Sequence, residues 1–264
     1  YLNGEDLNNN YDQSPSRFVI NFFDWPIEKA KEYPECFERI EKLVKPERLE
    51  SKGDRGAEYW WQFLRMRSEL YEKISGLHRV IVNTAISKHL LFVFYPVNIV
   101  FNQRVFVFPY DKFSVFAILH STIHESWARK YSPTLETRLS YSSTDSFETF
   151  SFPEIASNVL NEGLEEIGER YYKHREVLML STFLGLTKTY NLFHSRELRQ
   201  TKEVEARLDE KSFEKLVGKE ALLLRKYLDK TPGTISYNDA VEGINKLREL
   251  HVQMDEAVLE AYGW

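Results

Sequence analysis

Apolar positions along this chain repeat in two different ways. Between 79 and 109, β-branched and aromatic residues crowd into short runs, RVIVNTAI, LLFVFYP and VFNQRVFVFP, with polar breaks between them. Such runs predict about three strands. After Pro153 the spacing changes to every third or fourth position. EIASNVLNEGLEEIGERYYKHREVLML, EVEARLDEKSFEKLVGKEALLLRKYLDK and YNDAVEGINKLRELHVQMDEAVLEAYGW all carry a helical period, and Thr231-Pro232-Gly233 interrupts it.

Ahead of the strands the pattern is mixed. RFVINFF (17–23) predicts a short strand, and DWPIEKAKEYPECFERIEKLV a helical pair, with Trp25-Pro26 at its start and Pro34 in the first turn of the second helix. PERLESKGDRG reads as a charged loop, and EYWWQFLRMRSELYEKISG as a turn and a short helix ending at Gly76. Beyond the strands, DKFSVFAILHSTIHESWARKY puts Phe113, Phe116, Ala117, His120, Ile123, His124 and Trp127 on one helical side, with Asp111 as its cap. LETRLSY then alternates like a strand, with Glu136, Arg138 and Ser140 on its polar face. SSTDSFETFSFP is rich in turn and cap residues. Intermingled strands and helices followed by helices alone predict an α+β fold: a mixed domain over 1–153 with a β-rich core at 79–141, then an all-helical region over 154–264.

Composition narrows the class. The 264 residues are 42% hydrophobic and 28% charged, enough for a sizeable core, and aromatics are abundant at 18 Phe, 15 Tyr and 5 Trp. The lone Cys36 excludes an internal disulfide and fits a reducing, cytoplasmic setting. No apolar run is long enough to span a bilayer, so no membrane partner is expected. The chain starts at Tyr1 without Met, which suggests a piece of something longer or an omitted disordered start. The net charge of −5 opposes nucleic-acid binding as a whole-chain property. Its distribution softens that: residues 51–140 hold twelve bases against seven acids, leaving that stretch at +5 and the flanks at −10 together. A DNA-facing patch and chance both account for this.

Most familiar catalytic arrangements are missing. His120 and His124 are four apart on a helix, which is half a zinc site, but the order HSTIHE is not HExxH and no third ligand is marked. Two core histidines are the plainer reading. Cys36 has no marked partner, and there is no GxSxG, GxGxxG or GxxxxGK[ST]. The 79–109 runs contain no Asp or Glu, which leaves no metal-assisted nuclease set there. Binding chemistry is better represented. WWQFLRMRSELY sets Arg65 and Arg67 among Trp60, Trp61 and Tyr71. These arginines suit phosphate contacts or packing over rings, and Arg79 and Lys130 complete the candidate phosphate set. Residues able to read base edges occur in three places: Ser87-Lys88-His89, Asn102-Gln103-Arg104 and Glu136-Thr137-Arg138-Leu139-Ser140. Two other readings stay open, a helical protein–protein interaction module without DNA binding and a metallohydrolase using His120 and His124.

The segments YLNGEDLN with PSRFVINFFDWP, YPECFERIEKLVKPER, EYWWQF with RSELYEKISGLHRVIV, FAILHSTIHESWARKY, YSSTDSFETFSFP, GLTKTYNLFH and LRELHVQMDEAVLEAYGW follow one another along nearly the whole chain. This ordered set resembles the C-terminal part of MmeI-type single-chain type II restriction–modification enzymes and related adenine-N6 DNA methyltransferases. In that family a methyltransferase domain is followed by a target recognition domain and a helical region. The family's NPPY-type motif, glycine-rich cofactor loop and N-terminal nuclease have no counterpart here. The stretch at about 200–240 is longer than the resemblance leads one to expect and reads as an insertion with its own helix pair.

The resemblance implies a recognition part without catalysis of its own. Its parent would be a site-specific, S-adenosylmethionine-dependent DNA adenine-N6 methyltransferase and endonuclease. S-adenosylmethionine and Mg are expected only in the other domains, and no cofactor in this chain. The implied partners are double-stranded DNA and the methyltransferase and nuclease domains of the same polypeptide. The family's acidic–x–basic–x–polar pattern before a Tyr falls on Glu136, Arg138 and Ser140 before Tyr141. A second reading position falls near Gln103 and Arg104, and a third near Ser87, Lys88 and His89.

Overall fold

The computed structural model describes residues 1–50, 55–136, 138–154 and 158–264. Lys52 and Asp54 of the basic stretch, Thr137 of the third reading segment and residues 155–157 at the opening of the helical part lie outside them. The chain runs α1 (Gly4–Asn9), α2 (Ile27–Lys31), α3 (Pro34–Leu43), α4 (Lys45–Glu50), α5 (Arg55–Glu58), α6 (Ser68–Ile74), β1 (Arg79–Thr84), β2 (Ile86–Ser87), β3 (Val93–Pro96) and β4 (Val105–Phe108). It continues with α7 (Phe113–His120), α8 (Thr122–Tyr131), β5 (Thr134–Leu135), β6 (Arg138–Ser140), α9 (Asn158–Thr182), α10 (Leu186–Phe193), α11 (Glu203–Ala206), α12 (Glu210–Lys230) and α13 (Tyr237–Ala261). The architecture is α+β, as the apolar pattern predicts.

The first sheet has β1 at its centre, antiparallel to β3 and β4. Side chains alternate across a strand, and here both faces are covered. Ile81, Phe94 and Phe108 enter the core shared with α7 and α9, whereas Val80, Val82, Val93 and Val105 enter one with Leu2, Leu7 and Ile74. That double burial is why RVIVNT reads as a nearly unbroken apolar run. The second sheet is small, in the order β2-β6-β5.

The main core is continuous along the sequence. It joins Ile81, Phe94 and Phe116 to Leu164, Tyr171, Leu247 and Val258 of the helical part. α7 is buried along nearly its whole surface and packs on α9, which packs in turn on α13. A separate aromatic core of Phe22, Ala30, Phe37 and Trp60 holds α2–α5 together as a lobe. Trp61 Nε1 and Gln62 Nε2 both donate to the Trp25 carbonyl there, at 2.8 and 3.0 Å.

Several local expectations give way. RFVINFF is not a strand: none of its residues enters a ladder, and Phe18 is wholly exposed. Strand propensity records fitness for a half-buried pleated surface, and among the described residues this segment meets no strand partner. PERLE is helical, as α4, because the charged run sits directly behind α3 and continues it. Asp111 caps nothing: Lys112 is the cap residue of α7, and the Ser114 N–H donates instead to Glu165 of α9 at 2.7 Å. The helix expected over 112–131 is two helices, broken at Ser121 (ψ 156°), whose side chain accepts from the His124 N–H as the cap of α8. LETRLSY is a hairpin instead of one strand. The stretch around 200–240 forms the single-turn α11 and the long α12, which kinks at Gly218 (φ 84°). Among the described residues no helix is long and apolar enough to cross a membrane.

Candidate nucleic-acid interface

The hairpin is built by a two-residue connection. Leu135 pairs with Arg138 and Thr134 with Leu139, so the chain reverses between Leu135 and Arg138. Glu136 takes the left-handed conformation (φ 58°) that such tight turns require at their first position. Glu136 and Arg138 therefore do not line one strand face. They meet across the turn instead, with Arg138 Nη2 donating to Glu136 Oε2 at 3.1 Å. Both side chains are largely in water, so this pair adds little stability but limits where the guanidinium points.

Behind the hairpin, β6 is firmly held. Leu139 is buried, and Ser140 pairs with Ile86 of β2. The Tyr141 N–H donates to the Ala85 carbonyl at 2.8 Å, and its hydroxyl lies 3.2 Å from His124 Nε2. His124 Nδ1 lies 2.7 Å from the Leu119 carbonyl, an acceptor only, so Nδ1 carries the proton and Nε2 accepts from Tyr141. Burial pulls the His124 imidazole down to about 4 and pushes the Tyr141 phenol up, so both are neutral near pH 7. An exposed Arg138 thus stands on a buried latch.

Arg138 faces an open cleft of about 510 Å³, lined also by Arg104, Thr84 and, from α1, Glu5, Asn8 and Asn9. Asn102 borders this cleft and a second one. Its side-chain oxygen accepts from the Arg104 N–H at 2.8 Å, its amide donates to the Tyr1 hydroxyl, and its backbone N–H donates to the Leu2 carbonyl at 2.9 Å. The second cleft, about 640 Å³, lies between the aromatic lobe and the first sheet. Arg48, Arg65, Arg67 and Gln103 line it, and no acidic side chain does among the described residues. Consecutive residues of one loop, Gln103 and Arg104, thereby serve adjacent clefts.

Other expected residues lie elsewhere. Lys88 Nζ and His89 Nε2 both meet Asn191 Oδ1 of α10, at 2.6 and 3.0 Å, and the His89 ring stacks on His194. Ser87 Oγ donates to the His89 carbonyl at 2.6 Å. That turn is directed at α10. Arg79 donates twice to the Asp111 carbonyl and lies 3.9 and 4.3 Å from the Phe94 and Phe113 ring centres, a packing role. Lys130 rests by the Tyr131 ring on α8, outside both clefts. His120 is buried among Tyr171, Tyr190 and Arg175, its Nε2 2.8 Å from the Tyr190 hydroxyl, and is held well below its ordinary pKa by desolvation and then by the arginine. The break at Ser121 parts the two histidines, and no cluster suited to a metal ion occurs among the described residues.

Arg48 and the α1 residues Glu5, Asn8 and Asn9 are additions to the sequence reading. The signal for α1 was present in YLNGEDLNNN: Asn3 and Asp6 form a capping box ahead of a run of asparagines.

The family model for the MmeI target recognition domain matches residues 8–154. No curated protein matches the chain. A solved structure of the Type IIL restriction-modification enzyme MmeI in complex with DNA is similar in fold, with a TM-score of 0.60 and 19% identity, covering 97% of this chain and 30% of that one. The chain therefore spans under a third of that enzyme's length.

Proposed function

The chain belongs to the MmeI target recognition domain family, and from that premise we propose that it recognises a specific sequence in duplex DNA as part of a Type IIL restriction–modification enzyme. One observation carries this beyond family membership. Two arginines from separate segments, Arg104 and Arg138, share a polar cleft beside a second cleft that holds three arginines and, among the described residues, no acid.

The two clefts suit different tasks. Phosphate contacts position a protein on DNA, and base-edge contacts specify the sequence. Arg48, Arg65 and Arg67 grip phosphates. Arg138 and Arg104 donate to guanine edges, and Glu136 accepts from a cytosine amino group when its pairing with Arg138 opens. Gln103 reaches the groove from the second cleft. Each well-formed base contact discriminates by about 1–3 kcal/mol. Ser140 orients the hairpin through its pairing with β2. Residues 1–153 carry the reading surface, and residues 154–264 support it through the shared core. Adenine-N6 methylation and cleavage, with S-adenosylmethionine and Mg, belong to other domains of the polypeptide. The methylated adenine leaves the stack to reach them.

Binding to oligonucleotides with the parent enzyme's site and to scrambled ones, at several salt concentrations, tests the proposal. Affinity should depend on sequence. It should also fall with salt by a slope of about −0.9 per phosphate neutralised, so that Arg65→Ala and Arg67→Ala each reduce the slope by about 1. Affinity independent of both sequence and salt would overturn it.

A further inference from the structure

Resting on that reading, we propose that Asn9 is a further sequence-determining residue, whose amide reads an adenine edge beside Arg104 and Arg138. Helix α1 places Glu5, Asn8 and Asn9 on one face, three and four positions apart, and that face lines the cleft with both arginines.

The asparagines around this cleft differ in what they leave free. Asn3 Oδ1 accepts from the Glu5 and Asp6 N–H groups, at 2.8 and 3.0 Å, to cap α1. Asn102 is held by Arg104 and Tyr1. Asn8 donates to Thr84 Oγ1 at 3.2 Å. Asn9 alone among these four is exposed, with no side-chain hydrogen bond among the described residues, so its donor and acceptor are both available. Bidentate pairing with adenine needs that combination: Nδ2–H donates to N7 and Oδ1 accepts from the N6 amino group.

Reading also needs a fixed origin, since a mobile side chain on a mobile backbone discriminates poorly. The Asn9 backbone is fixed. Gly185, the residue capping α10, approaches so closely that a Cβ there would lie 2.3 Å from the Asn9 carbonyl oxygen. Leu2 and Leu7, both ahead of Asn9 on the chain, are buried, and Leu2 bridges to Phe101. The local charge favours bases over phosphate: Glu5 shares the cleft and Glu136 occupies Arg138, whereas the arginine cleft next door has no acidic lining among the described residues.

The test is selection from randomised duplexes by the full-length polypeptide, followed by sequencing, for the unaltered protein and for Asn9→Ala, Asn9→Asp and Arg138→Ala. Asn9→Ala should relax one adenine position by roughly 5- to 100-fold and leave the others intact. Asn9→Asp should move that position towards cytosine, since a carboxylate only accepts. Because Asn9 is exposed, both variants should melt like the unaltered protein. If Arg138→Ala relaxes a position while both Asn9 variants select the original sequence, this inference is overturned and the reading by Arg138 stands. If the unaltered protein selects no sequence, both fall.

Discussion

Acid should loosen the β5–β6 hairpin from behind, through His124. This imidazole is fully buried, and desolvation, the largest influence on it, lowers its pKa from 6.5 to about 4 against a smaller opposing effect of its bond to the Leu119 carbonyl. Between those two values the unfolded chain takes up a proton that the folded one refuses. Stability from this group is therefore complete above the unfolded value and is lost as pH falls towards the folded one, with no further loss below it. The separation of the two values makes the loss roughly 2 kcal/mol between pH 7 and 5, rising to near 3 kcal/mol at pH 4. Urea denaturation at pH 7, 6 and 5 of the protein and of His124→Gln measures it, because His120 and His251 titrate in both and cancel. The stability advantage of the unaltered protein should shrink by roughly 2 kcal/mol over that range. A difference that stays constant with pH would refute the reasoning, as would an NMR titration showing His124 protonating at its ordinary value.

Three further perturbations are predicted. Arg175 is buried with no carboxylate partner among the described residues, donating to the Phe92 carbonyl at 2.9 Å and to the Tyr190 hydroxyl at 3.3 Å, and lying over the Tyr172 ring. Arg175→Ala should cost about 3–5 kcal/mol in chemical denaturation, from the Phe92 carbonyl losing the guanidinium and a cavity together, while the Tyr190 hydroxyl keeps His120 and Tyr171. Gly185→Ala should cost about 1–3 kcal/mol, because the Asn9 backbone that it would strike cannot swing away as a side chain can. Glu136→Ala should change stability by well under about 1 kcal/mol in the same assay, since its side chain is 75% exposed, while altering which duplexes are selected.

What the sequence revealed and what it hid follow from how far apart the determining contacts lie. Helices α9, α12 and α13 and the three strands of the first sheet carry long periodic or apolar runs, and the break at Thr231-Pro232-Gly233 is local chemistry. The failures are of another kind. RFVINFF has strand composition, but a strand needs a partner, which no local pattern records. Asp111 is a good capping residue, displaced by Glu165 from a helix about fifty residues away. LETRLSY alternates like a strand, yet the reversal at Glu136 rests on a backbone conformation that its residue type rarely adopts. Arg104 and Arg138 were singled out from the sequence by residue type alone, and the cleft that they share was not legible there. Lys88 and His89 were the right residue types, but Asn191 of α10 engages both, and nothing local to SKH signals that. The capping box of α1 is local and was present in YLNGEDLNNN, but its place beside the first sheet depends on Leu2 bridging to Phe101, about a hundred residues on.

The division between an exposed Arg138 and the buried latch of Leu139, Tyr141 and His124 has a consequence for how such a protein changes over generations. Residues facing the cleft can be exchanged with little effect on folding, because their neighbours hold the backbone whichever side chain is carried. New target preferences can then be explored through single substitutions along a nearly neutral path. The latch cannot drift in this way, and it keeps each newly arrived side chain aimed into the same cleft.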